Sequence, residues 1–352
     1  MAAAKGTRAA SSSEKFDYLI VGAGTAGCVL ANRLSGDLTT RVGLIEAGIG
    51  WSYTSVPQRQ LNNRSIPLPP GRVLDDCSSI SGMAYFRGHP RDFDEWAQAG
   101  ATGWSYEEVL PYFRRAENNQ TWPESRYHGS GVPMNALDIA NPNALVRRFL
   151  EATSSLGFAH CKDFNGPDPE GFGCRQAMIR DGRREAMVTA YVDPAAHREN
   201  LAIFTEAMVT SLVIENRRAR GVVIERDGTR IQLSAARDVI LCAGTYGSPQ
   251  LLLLSGIGAG AALLAAVCAA SAWASEGTVL DPSPTAAACP CISTKIRPAR
   301  ATVEKAMAMR GSVFMASTCV DCCGFNSALP TTDNDRACRC GFDKNILSKF
   351  PC

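Results

Sequence analysis

The sequence predicts an α/β fold in which a βαβ unit near the amino-terminal end supplies a parallel sheet and an α+β region follows it. Two observations lead to this fold. An apolar run over residues 16–21 passes through a glycine-rich turn and a helical stretch to a second apolar run over residues 41–47, and five β-rich segments follow between residues 202 and 242. A chain of 352 residues with 45% hydrophobic residues is long enough to bury the core of one large or two ordinary domains.

Composition and charge exclude several classes of function. Lys and Arg number 36 against 34 Asp and Glu, so the formal net charge is +2. Because no long-range field favours nucleic acid or an anionic membrane, we expect no nucleic-acid partner. Gly at 31 and Pro at 19 are close to ordinary usage, which excludes collagen-like and low-complexity chains.

The 14 cysteines divide the chain into two regions, with five in the first 258 residues and nine in the last 94. Sparse cysteines in the first region favour a reduced, intracellular protein, with no further assignment of compartment. Residues 259–352 form an unassigned cysteine-rich tail, for which we favour an origin in altered splicing or a shifted reading frame. Cys319, Cys322, Cys338 and Cys340 leave structural zinc open as an alternative, but their irregular spacing leads us to predict no metal site.

Residues 1–15 are expected to form a disordered leader. They contain Lys5, Arg8 and a run of three serines, and they lack the apolar stretch of a secretory signal. A short organellar transit peptide is the alternative.

The glycine-rich turn is the most informative motif. An apolar strand leads directly into Gly22-Ala23-Gly24-Thr25-Ala26-Gly27, and a helix over residues 28–34 follows. In this context Gly22 permits a tight turn, Gly24 lets the backbone approach a pyrophosphate, and Gly27 lets the helix pack on the strand. The N–H groups at the start of the helix and its dipole then favour a bound phosphate.

Glu46 ends the second strand of the βαβ unit, 19 residues after Gly27. A carboxylate at this place accepts hydrogen bonds from the hydroxyls of an adenosine ribose. Since a 2′-phosphate would be repelled, the acid indicates FAD or NAD and not NADP.

Capping and periodicity predict the remaining elements. Small residues after Gly71 predict a loop close to a ligand, and Ser105 with Glu108 forms a capping box that starts a helix running to about Arg115. Residues 144–157 are typical of an amphipathic helix. The five β-rich segments are expected to form a meander that covers one side of the dinucleotide domain, and the last of them leads into a second glycine-bearing turn at residues 243–250.

Residues 251–274 carry no charge and are long enough to span a bilayer. Three glycines interrupt the run, Pro249 breaks the longer uncharged stretch of residues 239–275 that contains it, and no aromatic belt or basic cluster frames it. A buried strand, turn and helix is the favoured interpretation, and membrane insertion is the alternative.

Three separated segments carry a resemblance to a known family. They are FDYLIVGAGTAGCVLANRL at residues 16–34, GRVLDDCSSISGMAYFRGHPRDFDEWA followed by GWSYEEVLPYFRRAE within residues 71–117, and GTYGSPQLLLLSGIG at residues 244–258. In this order they resemble the glucose-methanol-choline (GMC) oxidoreductases, in particular the choline and alcohol dehydrogenase branch.

The resemblance implies a Rossmann-like FAD-binding domain over residues 16–258 with part of an incomplete α+β substrate domain interleaved in it. It implies oxidation of a small-molecule alcohol to an aldehyde or ketone, with hydride transfer to flavin N5 and an electron acceptor that stays open. Ile80 stands where some members carry a histidine joined to FAD, which implies a non-covalent cofactor. The implied cofactor-binding residues are Gly22, Gly24, Thr25, Ala26, Gly27, Glu46, Val73, Ser81, Gly82, Met83, Ala84 and Val209.

Four departures from the family pattern count against activity. Asp75 and Asp76 stand where the family has two glycines, and Ser81 replaces an asparagine. The stretch between Glu46 and Gly71 is shorter than in the family. The resemblance ends at Gly258, which implies a C-terminally truncated chain without the family's catalytic histidine.

The histidine count leads to the same expectation. The chain has four histidines, all before Gly258, and we expect each to be structural or exposed, so that no catalytic residue is assigned: His89, His128, His160 and His197. A catalytically inactive FAD-fold remnant and a non-enzymatic binding module with a cysteine-rich tail therefore stay open as alternatives, and NAD stays open as a weaker choice of cofactor.

Overall fold

A computed structural model of the chain describes residues 14–48, 53–68, 74–258 and 313–315. The chain divides into two compact units. The first comprises residues 1–76 and 195–317, and the second comprises residues 77–194 and 318–352. Since the chain leaves the first unit and returns to it, strands distant in sequence share one sheet there.

The helices and strands follow one another along the chain as β1 (Lys15–Val21), α1 (Thr25–Leu34), β2 (Val42–Ile45), β3 (Tyr53–Thr54), β4 (Pro67–Leu68), β5 (Ala84–Tyr85), α2 (Pro90–Gln98), α3 (Tyr106–Ala116), β6 (Glu117–Asn119), β7 (Met134–Asp138), α4 (Ala144–Ser155), β8 (Gln176–Ala177), β9 (Ile179–Arg180), β10 (Arg183–Arg184), β11 (Leu201–Phe204), β12 (Met208–Glu215), β13 (Arg218–Arg226), β14 (Thr229–Leu241), α5 (Gly244–Leu254) and β15 (Val313–Met315).

The main sheet of the first unit runs in the order β11-β2-β1-β14-β13-β12, with β15 also paired to β14. Strand β1 pairs in parallel with β2 on one side and with β14 on the other, and β2 pairs in parallel with β11. All four residues of β2 and all four of β11 are buried, as expected for parallel strands covered on both faces. The predicted βαβ unit and the α/β fold class are confirmed.

The core of the first unit is built from the apolar residues of this sheet. Phe16 and Phe204 meet edge to face, with ring centroids 5.8 Å apart. The fully buried side chains around them come from β1, β11, β13 and β14, and include Leu19, Val222, Ile224, Leu233, Val239 and Leu241. This packing holds β1 in the centre of the sheet, where its carboxyl end leads into the glycine turn.

The predicted meander has a different arrangement. The last two β-rich segments form one continuous strand, β14. It pairs antiparallel with β13 over residues 229–234 and parallel with β1 at residues 234–235 and 238–241, with a shift of register between these two stretches. Arg237 and Asp238 break the apolar alternation within the strand, and Arg237 Nε lies 3.0 Å from the Asp17 carboxylate. The meander therefore extends the main sheet in its own plane and does not cover one side of it.

The glycine-bearing segment after β14 was predicted as a turn and begins a helix instead. Gly244 has a φ of +74° and is followed directly by the rest of α5. The Ser248 hydroxyl accepts the Ala243 N–H at 3.1 Å, which closes the start of the helix. Residues 259–274 of the long uncharged run lie outside the described residues, and within the described ranges no helix is long and apolar enough to cross a membrane.

The second unit has a small sheet in the order β5-β8-β7-β6. The predicted capping box of α3 is confirmed, because the Glu108 carboxylate accepts the Ser105 backbone N–H at 3.2 Å and the Ser105 hydroxyl at 2.8 Å. The amphipathic helix predicted over residues 144–157 is α4. Its apolar side is largely uncovered by the described residues, since Leu145 is 78% exposed and Phe149 53% exposed.

Candidate functional site

The glycine turn at the carboxyl end of β1 has the geometry that its sequence predicts. Gly22 has a φ of +97°, and a β-carbon there would lie 2.5 Å from the Cys242 carbonyl oxygen. Its N–H donates to the Ile45 carbonyl at 2.8 Å, and the Cys242 N–H donates to the Val21 carbonyl at 2.7 Å. Only glycine combines this backbone conformation with such close contact to the neighbouring strand.

Helix α1 starts immediately after the turn. Gly24 is its N-cap, and no side chain of the described residues caps it. The first helical hydrogen bond runs from the Cys28 N–H to the Gly24 carbonyl at 3.0 Å. The N–H groups of Thr25, Ala26 and Gly27 therefore precede the intrahelical ladder and lie at the positive end of the helix dipole.

Gly27 lets α1 pack closely against the turn. A β-carbon on Gly27 would lie 2.0 Å from the Gly22 carbonyl oxygen and 3.4 Å from the Ile20 side chain. This contact fixes the angle at which α1 leaves the sheet, and with it the direction of the N–H groups in its first turn.

The Glu46 carboxylate is tied to the same turn. Its Oε2 accepts the Ala23 N–H at 2.9 Å and its Oε1 accepts the Gly48 N–H at 3.2 Å. A carboxylate has acceptor sites for about four hydrogen bonds, and these two bonds fix the orientation of the group beside the turn. Two backbone hydrogen bonds hold Glu46 beside the segment that precedes Val209 in β12. The Glu46 N–H donates to the Phe204 carbonyl, and the Ala207 N–H donates to the Glu46 carbonyl.

Asp75 also contacts the glycine turn. Its backbone N–H donates to the Ala23 carbonyl at 2.9 Å, its φ is +98°, and the residue is 1% exposed. The backbone thus keeps a conformation suited to glycine although the residue is aspartate. A buried carboxylate at this turn would oppose the binding of a phosphate, so among the described residues of the turn Asp75 is the one that does not fit the predicted dinucleotide.

The other implied cofactor residues lie apart from the turn in the chain. Ser81, Gly82, Met83 and Ala84 form a loop of the second unit, in which Met83 has a φ of +58° and its N–H lies 3.4 Å from the Ser81 hydroxyl. Val73 lies outside the described residues. The role of these residues in binding a cofactor stays a prediction.

The four histidines have distinct places in the structure. His89 caps α2, where its Nδ1 accepts the Arg91 N–H at 3.2 Å. His160 and His197 are exposed. His128 is 1% exposed, and its two ring nitrogens face the carboxylates of Glu117 and Asp163, with 2.8 Å between Nε2 and Asp163 Oδ2.

The environment of His128 makes it a buried cation. Burial alone would lower its pKa, but hydrogen bonds to Asp163 and Glu117 outweigh this effect and raise the pKa to about 9. Burial in turn would raise the pKa of the Glu117 carboxyl, and the bonds to His128 and Arg87 hold it below its usual value. With both ring nitrogens donating, His128 has no lone pair with which to accept a proton from a substrate.

Sequence reasoning missed this buried ion network. Arg87 donates to the Glu117 carboxylate and, from Nη1, to the Tyr127 carbonyl at 2.7 Å. Its members come from separate segments of the chain, and no local pattern marks charged residues that become buried together. The described residues contain no cluster of His, Cys, Asp and Glu that could hold a metal ion, and the four tail cysteines considered for zinc lie outside them.

A parallel βαβ unit with a glycine turn, a free helix N-terminus and a tethered acid at the end of β2 defines the class of dinucleotide-binding α/β proteins. The sequence profile described as GMC oxidoreductase matches residues 16–269. The chain belongs to the GMC oxidoreductase family. The match extends past Gly258, where the sequence analysis placed the end of the resemblance.

Curated relatives of the chain are dehydrogenases. It is 41% identical over 264 residues to an oxygen-dependent choline dehydrogenase of Rhizobium etli, which covers 69% of this chain and 48% of the relative. It is 37% identical over 272 residues to an alcohol dehydrogenase [acceptor] of Pseudomonas putida, covering 70% of this chain and 49% of the relative. The chain thus spans about half the length of the curated relatives it matches.

Solved structures agree with this family. Pyridoxine 4-oxidase from Mesorbium loti matches with a TM-score of 0.66 and 33% identity, over 69% of this chain and 52% of that one. An FAD-dependent oxidoreductase from Chaetomium thermophilum matches with a TM-score of 0.66 and 26% identity, over 69% of this chain and 48% of that one. The predicted family and the predicted cofactor class, FAD, are confirmed at the level of the family.

Proposed function

We propose that this chain binds FAD non-covalently through the glycine turn, and that it belongs with flavoproteins acting on the CH–OH group of a small alcohol. The observation that carries the proposal is the joint geometry of Gly22, Gly27 and Glu46, which presents the first turn of α1 to a pyrophosphate and a carboxylate to a ribose. The family match and the choline and alcohol dehydrogenases among its relatives support the alcohol as substrate class.

Each part of the site has a definite role in this proposal. The N–H groups of Thr25, Ala26 and Gly27 would hold the pyrophosphate, Glu46 the adenosine ribose and the Val209 backbone the adenine. Val73 and residues 81–84 would contact the flavin. Bound FAD would supply the redox chemistry, as the acceptor of a hydride from the alcohol carbon.

Proton removal from the alcohol has no acceptor among the chain's histidines. His128 is a buried cation, His89 caps a helix, and His160 and His197 are exposed. Loss of general base catalysis costs about 10²–10⁴-fold in rate. We therefore expect FAD binding with slow alcohol oxidation, which keeps the inactive FAD-fold protein as the second candidate function.

Competition between cofactors tests the binding proposal. The purified chain is titrated with FAD, FMN and NAD while ligand or protein fluorescence is followed. We expect FAD to bind more tightly than FMN, which lacks the adenosine that Glu46 and Val209 would contact. Equal affinity for FAD and FMN, or binding of NAD alone, would contradict the proposed site.

Anaerobic addition of choline or a primary alcohol to the FAD-loaded chain tests the reaction. Slow bleaching of the flavin absorption would support the proposal that the chain still transfers hydride from an alcohol to FAD. A flavin that dithionite reduces but no alcohol bleaches supports the inactive FAD-fold protein.

A further inference from the structure

Several carbonyl oxygens of the Ser78–Met83 loop of the second unit accept hydrogen bonds from other segments of that unit. Arg184 Nη1 donates to the Ser78 carbonyl at 3.1 Å and to the Ser81 carbonyl at 2.6 Å. The Met178 N–H donates to the Met83 carbonyl at 2.8 Å. Arg175 Nη2 donates to the Gly82 carbonyl at 3.1 Å. The donors to the loop carbonyls thus lie within one segment, residues 175–184.

That segment is a tight hairpin. Arg183 and Arg184 of β10 pair with Arg180 and Ile179 of β9, and the turn between the strands is Asp181-Gly182, with φ of 51° and 71°. An Asp-Gly turn with positive φ at both positions is the favoured two-residue connection of a hairpin. It places Arg184 half-buried towards the loop and leaves its neighbour Arg183 exposed.

A second set of contacts makes the loop a defined conformation and not a flexible connection. The Met187 N–H donates to the Ser78 hydroxyl at 3.1 Å, and Ser78 is fully buried. The N–H groups of Ile80 and Ser81 both donate to the Cys77 carbonyl, at 3.1 and 2.8 Å. Arg184 joins the two ends of this turn, because its Nη1 nitrogen donates to the carbonyls of both Ser78 and Ser81.

Among the described residues, Arg184 forms hydrogen bonds to two loop carbonyls and no ion pair with a carboxylate. A guanidinium fixes two carbonyl oxygens at once through its planar array of donors, and a shorter or neutral side chain loses one or both bonds.

We propose that Arg184 is a positioning residue, which holds the Ser78–Met83 loop in the conformation that receives FAD. The inference rests on the proposed function, since it takes this loop as part of the FAD site. In its absence the loop samples several conformations, and the apparent dissociation constant rises in inverse proportion to the competent fraction.

Three variants test the proposal, namely Arg184→Gln, Arg184→Lys and the matched control Arg183→Gln. Both glutamine variants remove one positive charge from the same hairpin, but only Arg184→Gln removes the contacts to the loop. The first measurement is hydrogen exchange of the amides at residues 79–83 in the FAD-free chain. We expect faster exchange in Arg184→Gln than in Arg183→Gln, with Arg184→Lys between them because its ammonium keeps a donor.

The second measurement is the dissociation constant of FAD, together with the fluorescence of the bound flavin at saturating FAD. A loop that is competent about one tenth of the time raises the dissociation constant about tenfold. We expect this for Arg184→Gln, partial rescue in Arg184→Lys, and a wild-type value in Arg183→Gln.

The outcomes separate this inference from the proposed function. If wild type binds FAD and Arg184→Gln binds it equally well, or if both glutamine variants exchange alike at residues 79–83, Arg184 does not position the loop. If wild type binds no FAD, the proposed function itself is wrong, and so is the role of Arg184 in FAD binding. Slower hydrogen exchange in wild type than in Arg184→Gln would then show only that Arg184 orders the loop.

Discussion

Asp75 has a backbone conformation that favours glycine, although its side chain is a carboxylate. Its φ of +98° is in a region that glycine adopts freely and that strains other residues. We expect Asp75→Gly to raise the free energy of unfolding by about 1 kcal/mol, because the strained β-carbon is removed. The same variant should tighten FAD binding, since a buried carboxylate leaves the glycine turn. Chemical denaturation and an FAD titration measure the two effects.

Asp75→Asn is the matched control, since it keeps the side chain and removes the charge. If charge repulsion is the main obstacle to FAD, Asn and Gly will tighten binding alike, whereas only Gly will raise the unfolding free energy by the full amount. Lower stability and weaker FAD binding in Asp75→Gly would contradict this interpretation of the turn.

At the scale of elements, the junction between β1 and α1 determines where the N–H groups proposed to bind the pyrophosphate point. A β-carbon on Gly27 would lie 2.0 Å from the Gly22 carbonyl oxygen, so Gly27→Ala must move α1 away from the turn. We expect a loss of about 1–3 kcal/mol in the unfolding free energy and a clear loss of FAD affinity. Thermal and chemical unfolding with an FAD titration measure both.

Gly247→Ala provides the comparison within another helix. Gly247 lies in α5, and a β-carbon there would meet only the Ala243 side chain, at 3.0 Å. The gain in helix propensity, about 1 kcal/mol, offsets this tight contact. If Gly27→Ala has an unfolding free energy and an FAD affinity no lower than those of Gly247→Ala, then α1 does not need close packing against the glycine turn.

The elements that the sequence predicts well are those with a strong local signal. The glycine spacing predicts Gly22, Gly27 and Glu46 in their observed geometry, and the pair Ser105 and Glu108 predicts the start of α3. That β14 continues as one strand through Arg237 and Asp238 could not be predicted, because it depends on the partner strands and not on these polar residues themselves. The contacts of Arg184 with Ser78 and Ser81 join residues more than a hundred positions apart, and a single sequence carries no pattern for such a contact.

At the scale of the molecule, the buried ion network of the second unit should make its stability depend on pH. The pKa of His128 is raised from an ordinary value of 6.5 to about 9, by Asp163 and Glu117. Because the folded pKa is higher than the unfolded one, the contribution of His128 is complete below pH 6.5 and is lost as the pH rises through about 9. Arg87 and Tyr85 also face Glu117, and both stay protonated through this range. We expect the unfolding free energy, measured by denaturation between pH 7 and 10, to fall across this window.

His128→Ala removes the buried cation and leaves two carboxylates without it. Breaking a buried ion pair by removing one partner costs about 3–5 kcal/mol, and the variant should no longer show the alkaline loss of stability. His160→Ala is the control, since His160 is exposed and such substitutions change stability by about 0.5 kcal/mol or less. An unchanged pH profile in His128→Ala would show that the network does not carry the pH dependence.

We propose that this chain binds FAD although it spans about half the length of the curated relatives it matches. The most direct measurement is the visible absorption spectrum of the purified chain with FAD added and the unbound flavin removed. We expect a bound-flavin spectrum that is lost on denaturation, and that reaches higher occupancy in Asp75→Gly than in wild type at the same FAD concentration. If circular dichroism shows that wild type and Asp75→Gly are both folded and neither retains flavin, the proposal that the chain binds FAD is wrong.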